Sequence, residues 1–235
     1  MLSFMNPQKT KNIILIGASG RMGQSLLDLI QTQHAKGHHE WSVILKIARD
    51  LDVIWNGAPG DVVIDFSNAA MTADVARFFN GKEIPLLICS TGLSDETRAT
   101  LRQCSARCPV MIAPNTSAGV ITLHKLLKIA TQLLDDTFDI NIVETHHRHK
   151  VDAPSGTSLS LKQTIQATKA VDVDIHSLRA GDIFTDHTIT YHGHYETIKL
   201  SHSAYSRNVY AAGALRLASW LVQQSPGFYE PENVS

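Results

Sequence analysis

Apolar and polar positions follow two different periods along the chain. Short apolar runs, IILIGA (13–18), WSVILKIA (41–48), DVVIDF (61–66), IPLLICS (84–90) and CPVMIAP (108–114), recur through the first half. The stretches between them, including 22–33, 69–80 and 94–107, place apolar residues three and four positions apart. The runs suit buried strands, and the wider spacing suits helices that lay one apolar face on a sheet. Regular alternation of the two predicts a parallel sheet. Asp95 and Glu96 fall in the first turn of the third helix, where acidic side chains favour the positive helix end.

After Asn115 the pattern changes. An apolar-striped helix over 120–134, a strand over 138–144, a polar loop and a helix beginning near Thr157 predict a second unit. HTITYH (187–192) and ETIKLSHS (196–203) alternate polar and apolar positions around His192, Gly193 and His194, as two antiparallel strands with a turn do. A last helix over 208–223 is expected to return to the first unit. No internal repeat or low-complexity tract interrupts this plan.

Charge and cysteine content narrow the partners. With 21 basic and 22 acidic residues the net charge is -1, which offers no long-range attraction to a nucleic acid or an anionic membrane. No apolar run approaches the roughly 20 residues that span a bilayer, and the opening MLSFMNPQKTK has neither the basic segment nor the apolar core of a signal peptide. Cys89, Cys104 and Cys108 are odd in number and lie in predicted strands and helices, so a disulfide framework is not expected. The expected compartment is the cytoplasm, and Met5 is an alternative start to Met1.

Gly17-Ala18-Ser19-Gly20-Arg21-Met22-Gly23 joins the first predicted strand to the first helix. Gly17 suits a tight turn, Gly20 lets a pyrophosphate approach the backbone, and Gly23 lets the helix pack on the strand. N–H groups at the helix start, with the helix dipole, then favour phosphate, and Arg21 can add a charge-assisted contact. The second strand ends Ala48-Arg49-Asp50, so an acidic ribose contact and an arginine for a 2′-phosphate stand side by side. NADH and NADPH therefore both remain open.

The densest chemistry lies in Glu144-Thr-His146-His147-Arg-His149-Lys150-Val-Asp152-Ala-Pro154-Ser-Gly156-Thr157, between a strand and a helix. Three histidines and a lysine within five residues repel one another if all are charged, a cost that a dianionic ligand relieves. Lys150 supplies full positive charge, and Gly156 and Thr157 supply a helix start that holds a carboxylate. The imidazoles suit proton transfer near neutral pH. A zinc site is disfavoured, because adjacent His146 and His147 point to opposite sides of an extended chain and no cysteine is close in sequence. No metal is expected.

With these residues in place, the chain resembles the dihydrodipicolinate reductase family. The Glu144 to Thr157 run is similar to that family's catalytic signature, and GASGRMG, DFS (65–67), STGL (90–93), APNTSAGV (113–120), RAGDI (179–183), SRNVYAAGALRLASWL (206–221) and GFY (227–229) follow in the family's order. The resemblance implies an α/β fold, with a Rossmann-type dinucleotide-binding domain (1–117 and 207–235) and a smaller α+β domain with a mixed sheet (118–206) for substrate binding, catalysis and oligomerisation. It implies NAD(P)H-dependent reduction of dihydrodipicolinate, from 4-hydroxy-tetrahydrodipicolinate, to tetrahydrodipicolinate in lysine and diaminopimelate synthesis. His146 matches the proposed general acid, and His147, Lys150, Gly156 and Thr157 match the residues that grip the substrate carboxylates, with Lys150 also counted as catalytic. Thr91, Gly92, Ala113, Pro114 and Asn115 match the loops at the nicotinamide end, with Phe66 and Ser67 beside the cofactor. Arg207 matches a position near the interdomain hinge.

The family's usual state is a homotetramer assembled through the second domain's sheets. One departure is that 41–65 is shorter than the family norm, which leaves the ribose contact without a clean equivalent. Two other readings compete. One is a different Rossmann oxidoreductase acting on an amino-acid imine or semialdehyde, which needs a different catalytic run. The other is a catalytically silent nucleotide-binding relative, against which His146 and Lys150 together argue.

Overall fold

The computed structural model describes residues 10–48 and 59–234. The chain forms two units, Met1–Thr116 with Tyr210–Ser235, and Ser117–Val209. In order, the first contains β1 (Lys11–Ile16), α1 (Arg21–Ala35), β2 (Trp41–Ile47), β3 (Val62–Asp65), α2 (Ala69–Phe79), β4 (Leu86–Ile88), α3 (Asp95–Cys104) and β5 (Pro109–Ile112). The second contains α4 (Ala118–Leu133), β6 (Asp139–His146), α5 (Gly156–Thr168), β7 (Val173–Arg179), β8 (Thr185–His192) and β9 (Thr197–Ala204). Helix α6 (Asn208–Leu221) leads back to the first unit, which ends with β10 (Gly227–Tyr229) and a 3-10 turn at Pro231–Asn233.

The first unit's strands lie in the order β10, β5, β4, β3, β1, β2, and every pairing is parallel. Strand order reverses at β1, whose neighbours are β2 and β3, and loops leaving such a point open a crevice at the carboxyl edge of the sheet. Ile14, Ile16, Val63 and Ile88 pack with Val75 and Phe79 of α2 and Leu101 of α3. Ile13, Leu15 and Ile64 alternate to the opposite face and are just as completely buried. Coverage of both faces explains why the sequence shows unbroken apolar runs here rather than alternation.

The second unit's sheet is mixed, ordered β7, β6, β8, β9, with β6 and β7 parallel and the other pairs antiparallel. Leu123 and Leu127 of α4 and Leu161 and Ile165 of α5 cover Ile140, Ile142, Val173, Ile189 and Tyr191 on one face. The Tyr191 hydroxyl, buried among these, pairs with Thr131 Oγ1 at 2.9 Å, so its polar atom is not left unsatisfied.

Four details differ from expectation. The strand expected over 138–144 continues to His146, because parallel pairing with β7 runs on through His146 and Arg179. β7 itself was not expected, although VDVDIH (171–176) alternates as a strand does. β10 is a three-residue strand on the edge of β5, too short to carry a period, and Phe228 lies beneath the Arg102 guanidinium at 4.5 Å. Ser117 and Arg207 belong to the second unit: Ser117 caps α4 and contacts His202, and the Arg207 guanidinium stands 5.8 Å from the Phe184 ring centroid.

Gly23 lies very close to the backbone of the loop before it. A Cβ there would lie 2.4 Å from the Gly17 carbonyl oxygen and 2.7 Å from Ala18 Cα. Gly23→Ala is therefore expected to destabilise the protein by about 1–3 kcal/mol through overpacking against backbone. Gly81→Ala, at φ +85° in open space, is expected to cost about 1 kcal/mol through backbone strain alone. Urea unfolding checks both, and a Gly23→Ala midpoint equal to wild type would contradict the close approach.

Candidate active site

The glycine loop leaves β1 at the strand-order reversal. Gly17 adopts φ +75°, and a Cβ there would meet the Phe66 carbonyl carbon and the Ser67 nitrogen at 2.7 Å. Glycine is thus required both by conformation and by the β3 loop lying against it. Asn68, Ser94, Ser117 and Ser155 cap α2, α3, α4 and α5 through their side chains, whereas Gly20 at the start of α1 has no side chain to offer and no acidic residue follows in the first turn. Ser19, Gly20 and Arg21 are exposed and Ala18 is buried. A helix start of this kind suits a phosphate.

The loops after the next strands emerge at the same edge. Phe66 and Ser67 follow β3, Thr91 and Gly92 follow β4, and Ala113, Pro114 and Asn115 follow β5. Asp65, fully buried at the end of β3, braces them: its carboxylate accepts from the Ser67 amide (2.8 Å), the Ser67 hydroxyl (2.5 Å) and Thr72 Oγ1 (2.6 Å), and Thr72 in turn meets Ser90 Oγ at 2.6 Å. Burial raises the Asp65 pKa even against these hydrogen bonds. Asp65 was absent from the expected site residues. Arg49 and Asp50 lie outside the described residues.

In the second unit, alternation along the strands decides which groups meet. Ile140, Ile142, Glu144 and His146 share the inner face of β6, as Thr185, His187, Ile189 and Tyr191 do on β8. Register then sets Glu144 beside Ser177 and His187, with His202 of β9 opposite His187. One half of the face is apolar and covered by helices. The other half is a row of polar groups.

Glu144 is fully buried, with Oε1 accepting from Arg179 Nη2 at 2.9 Å and Oε2 against His146 Nδ1. His146 Nε2 lies 3.0 Å from Thr185 Oγ1, which is 3.4 Å from His187 Nδ1. His187 Nε2 faces Ser155 Oγ at 3.3 Å, and Ser155 also accepts from the Ser158 amide to cap α5. Burial tends to raise the Glu144 pKa, but hydrogen bonds from Arg179 and Ser177 and the His146 charge outweigh it and hold the carboxyl below its ordinary value. Burial lowers the His146 pKa, with Lys150 and Arg179 adding to the effect and Glu144 opposing it. Burial, then His146, push His187 down to about 4. Ligand atoms of Glu144, His146 and His187 lie within 4.8 Å of one another, close enough to meet at a metal ion. Each already faces a protein partner, however, and the Arg179 guanidinium is the cation that the carboxylate holds.

Chain comparison gives the family. Residues 11–116 match "Dihydrodipicolinate reductase, N-terminus" and residues 119–234 match "Dihydrodipicolinate reductase, C-terminus". A 4-hydroxy-tetrahydrodipicolinate reductase of Thiobacillus denitrificans is 34% identical over 261 residues, covering 94% of this chain and 97% of its own. The chain belongs to the dihydrodipicolinate reductase family. Another reductase of that name, from Akkermansia muciniphila, is 32% identical over 251 residues, covering 95% of this chain and 97% of its own. Among solved structures, a dipicolinate-bound dihydrodipicolinate reductase from Paenisporosarcina sp. TG-14 aligns with TM-score 0.79 at 18% identity, over 96% of this chain and 100% of that one. Aspartate semialdehyde dehydrogenase II of Vibrio cholerae aligns with TM-score 0.58 at 11% identity, over 92% and 99%, a likeness of fold alone.

Within this reductase-family fold, the expected substrate residues come from one segment. His146 ends β6, half-buried His147 and Lys150 follow in the loop, and Gly156 and Thr157 begin α5. Lys150 Nζ is engaged by Asp152 at 2.8 and 2.9 Å, so an anionic ligand competes with that carboxylate for the ammonium. Sequence reasoning missed Arg179, Thr185, His187 and His202 and assigned no role to Glu144. A signal existed: Ile140-Ile142-Glu144-His146, His187-Ile189-Tyr191 and Ile198-Leu200-His202 each carry an apolar face into polar residues.

His187 also sets a pH dependence. Its folded pKa of about 4 lies below the ordinary 6.5, so the unfolded chain takes a proton that the folded one refuses between those values. Stability is present above pH 6.5 and falls as pH drops to about 4, by roughly 2–3 kcal/mol from this group. His187→Gln is expected to lose correspondingly less stability across that window in urea titrations, and equal losses would contradict a neutral buried imidazole.

Proposed function

We propose that the chain reduces dihydrodipicolinate, derived from 4-hydroxy-tetrahydrodipicolinate, to tetrahydrodipicolinate, a step in lysine and diaminopimelate synthesis, using NADH or NADPH. The first unit fits a dinucleotide. Gly17 and Gly23 leave no room for a Cβ, and the helix start beyond Gly20 carries no side-chain cap. Ala18, Ser19, Gly20, Arg21 and Met22 would hold the pyrophosphate, and Phe66, Ser67, Thr91, Gly92, Ala113, Pro114 and Asn115 the nicotinamide end. Arg207 would assist cofactor binding. The bound cofactor supplies the hydride.

The observation that carries the reading is that one segment, Glu144 to Thr157, delivers an imidazole, an ammonium group and a helix start in a family whose members are named for this reduction. Lys150 pairs with a substrate carboxylate, while His147 and the Gly156 and Thr157 amides hold the dianion at the positive end of α5. A Cβ at Gly156 would meet nothing within 4 Å, so that backbone is open to a ligand. His146 delivers the proton that balances hydride addition. The dicarboxylate is the small-molecule partner, and neither a nucleic acid nor a membrane is required. We further propose a cytoplasmic homotetramer assembled through the outer face of the second unit's sheet, where Leu178 is 52% exposed.

Loss of NADH or NADPH absorbance on freshly generated substrate tests the activity. His146→Gln is expected to lower kcat by about 10²–10⁴-fold with little change in KM, the usual worth of a general acid. Lys150→Ala is expected to raise KM and lower kcat together. Wild-type kinetics in both variants would overturn these roles.

A further inference from the structure

We infer that Glu144, anchored by Arg179, is a positioning residue that holds His146 by Nδ1 and so commits Nε2 to the proton transfer. This rests on the reading of His146 as the acid. Glu144 and His146 lie two apart on one strand, so both side chains leave the same face of a rigid element, and Glu144 Oε2 meets Nδ1 without any loop to place it. Arg179 takes Oε1 at 2.9 Å and donates a second bond to the Asp152 carbonyl at 2.6 Å, which fixes the carboxylate from the neighbouring strand.

The consequence follows from donor and acceptor capacity. An ionised carboxylate only accepts, so Nδ1 carries hydrogen in both the neutral imidazole and the imidazolium. The exchangeable proton is then the one on Nε2. That nitrogen faces Thr185 Oγ1 at 3.0 Å, a hydroxyl able to accept from the cation or donate to the neutral ring, so either protonation state is satisfied. The ionisable groups facing His146 are Glu144 on β6, Arg179 on β7, His187 on β8 and Lys150 on the following loop, with His202 of β9 beyond His187. Glu144 is the one anion in that set. Burial, Lys150 and Arg179 all disfavour the imidazolium, and Glu144 opposes them. Its charge therefore sustains the acid as well as aiming it.

Two measurements test the inference. In the wild-type protein, two-bond proton–nitrogen correlation of the histidine rings, with His146 assigned by its loss in His146→Gln, is expected to show the neutral ring protonated at Nδ1. A neutral ring protonated at Nε2 would overturn the proposal, and this outcome does not depend on how any variant of Glu144 folds. In kinetics, Glu144→Gln keeps an acceptor but removes the charge. It is expected to lower kcat on the order of 10²-fold near pH 7, leave KM for the dicarboxylate within about threefold, and move the basic limb of the kcat profile to lower pH. Glu144→Asp is expected to recover at least about tenfold of that loss. An unmoved limb, or kcat and KM worsening together without recovery by Asp, would mark a merely structural carboxylate. If His146→Gln kept wild-type turnover, the functional reading itself would fail. An inactive His146→Gln beside a Glu144→Gln variant with the wild-type profile would sink this inference alone.

Discussion

The alternation of side chains along a strand governs the second unit. The face that must present Ile140, Ile142, Ile189 and Tyr191 to α4 and α5 presents Glu144, His146, Thr185 and His187 farther along the same strands. Taking a carboxylate out of water costs several kcal/mol unless it is paired, and here Arg179 and His146 share that pairing. Each member of the group is useful only because the others are present: Glu144 needs Arg179, the imidazolium needs Glu144, and His187 remains neutral in part because His146 lies beside it. This polar group is an extension of the core rather than an addition to the surface.

The first unit solves a different problem. Its strands are covered on both faces, so polar groups concentrate where the strands end. Glycines at 17 and 23 let the loop after β1 lie against β3 and α1, and Asp65 secures the neighbouring turn through Ser67 and Thr72. That leaves backbone N–H groups, with the exposed Arg21 beside them, at the place suited to a pyrophosphate. A net charge of -1 is compatible with this arrangement, because dipoles at a helix start would hold an anion locally without a large net charge.

Much of this was legible in the sequence. The parallel sheet could be read from unbroken apolar runs, the glycine loop from its place between strand and helix, and the strand-to-helix loop proposed for the substrate from its density of His, Lys and helix-start residues. What stayed hidden depends on register. No spacing along one chain says that His187 lies opposite Glu144, or that Arg179 lies beside His146, because those pairings bring together residues far apart in sequence. β10 was hidden for a related reason: three residues are ordered by their neighbour β5, not by their own pattern. β7 could have been found from its alternation, and with it Arg179.

Whether Lys150 and the start of α5 grip a dicarboxylate beside His146 is decided by a crystal structure of the protein with dipicolinate, the planar dicarboxylate bound in the Paenisporosarcina relative. One carboxylate is expected within hydrogen-bonding distance of Lys150 Nζ and the Gly156 and Thr157 amides, with Lys150 released from Asp152 and the ring edge turned toward His146 Nε2. A dicarboxylate bound elsewhere, with the Lys150 and Asp152 pair intact, would contradict it.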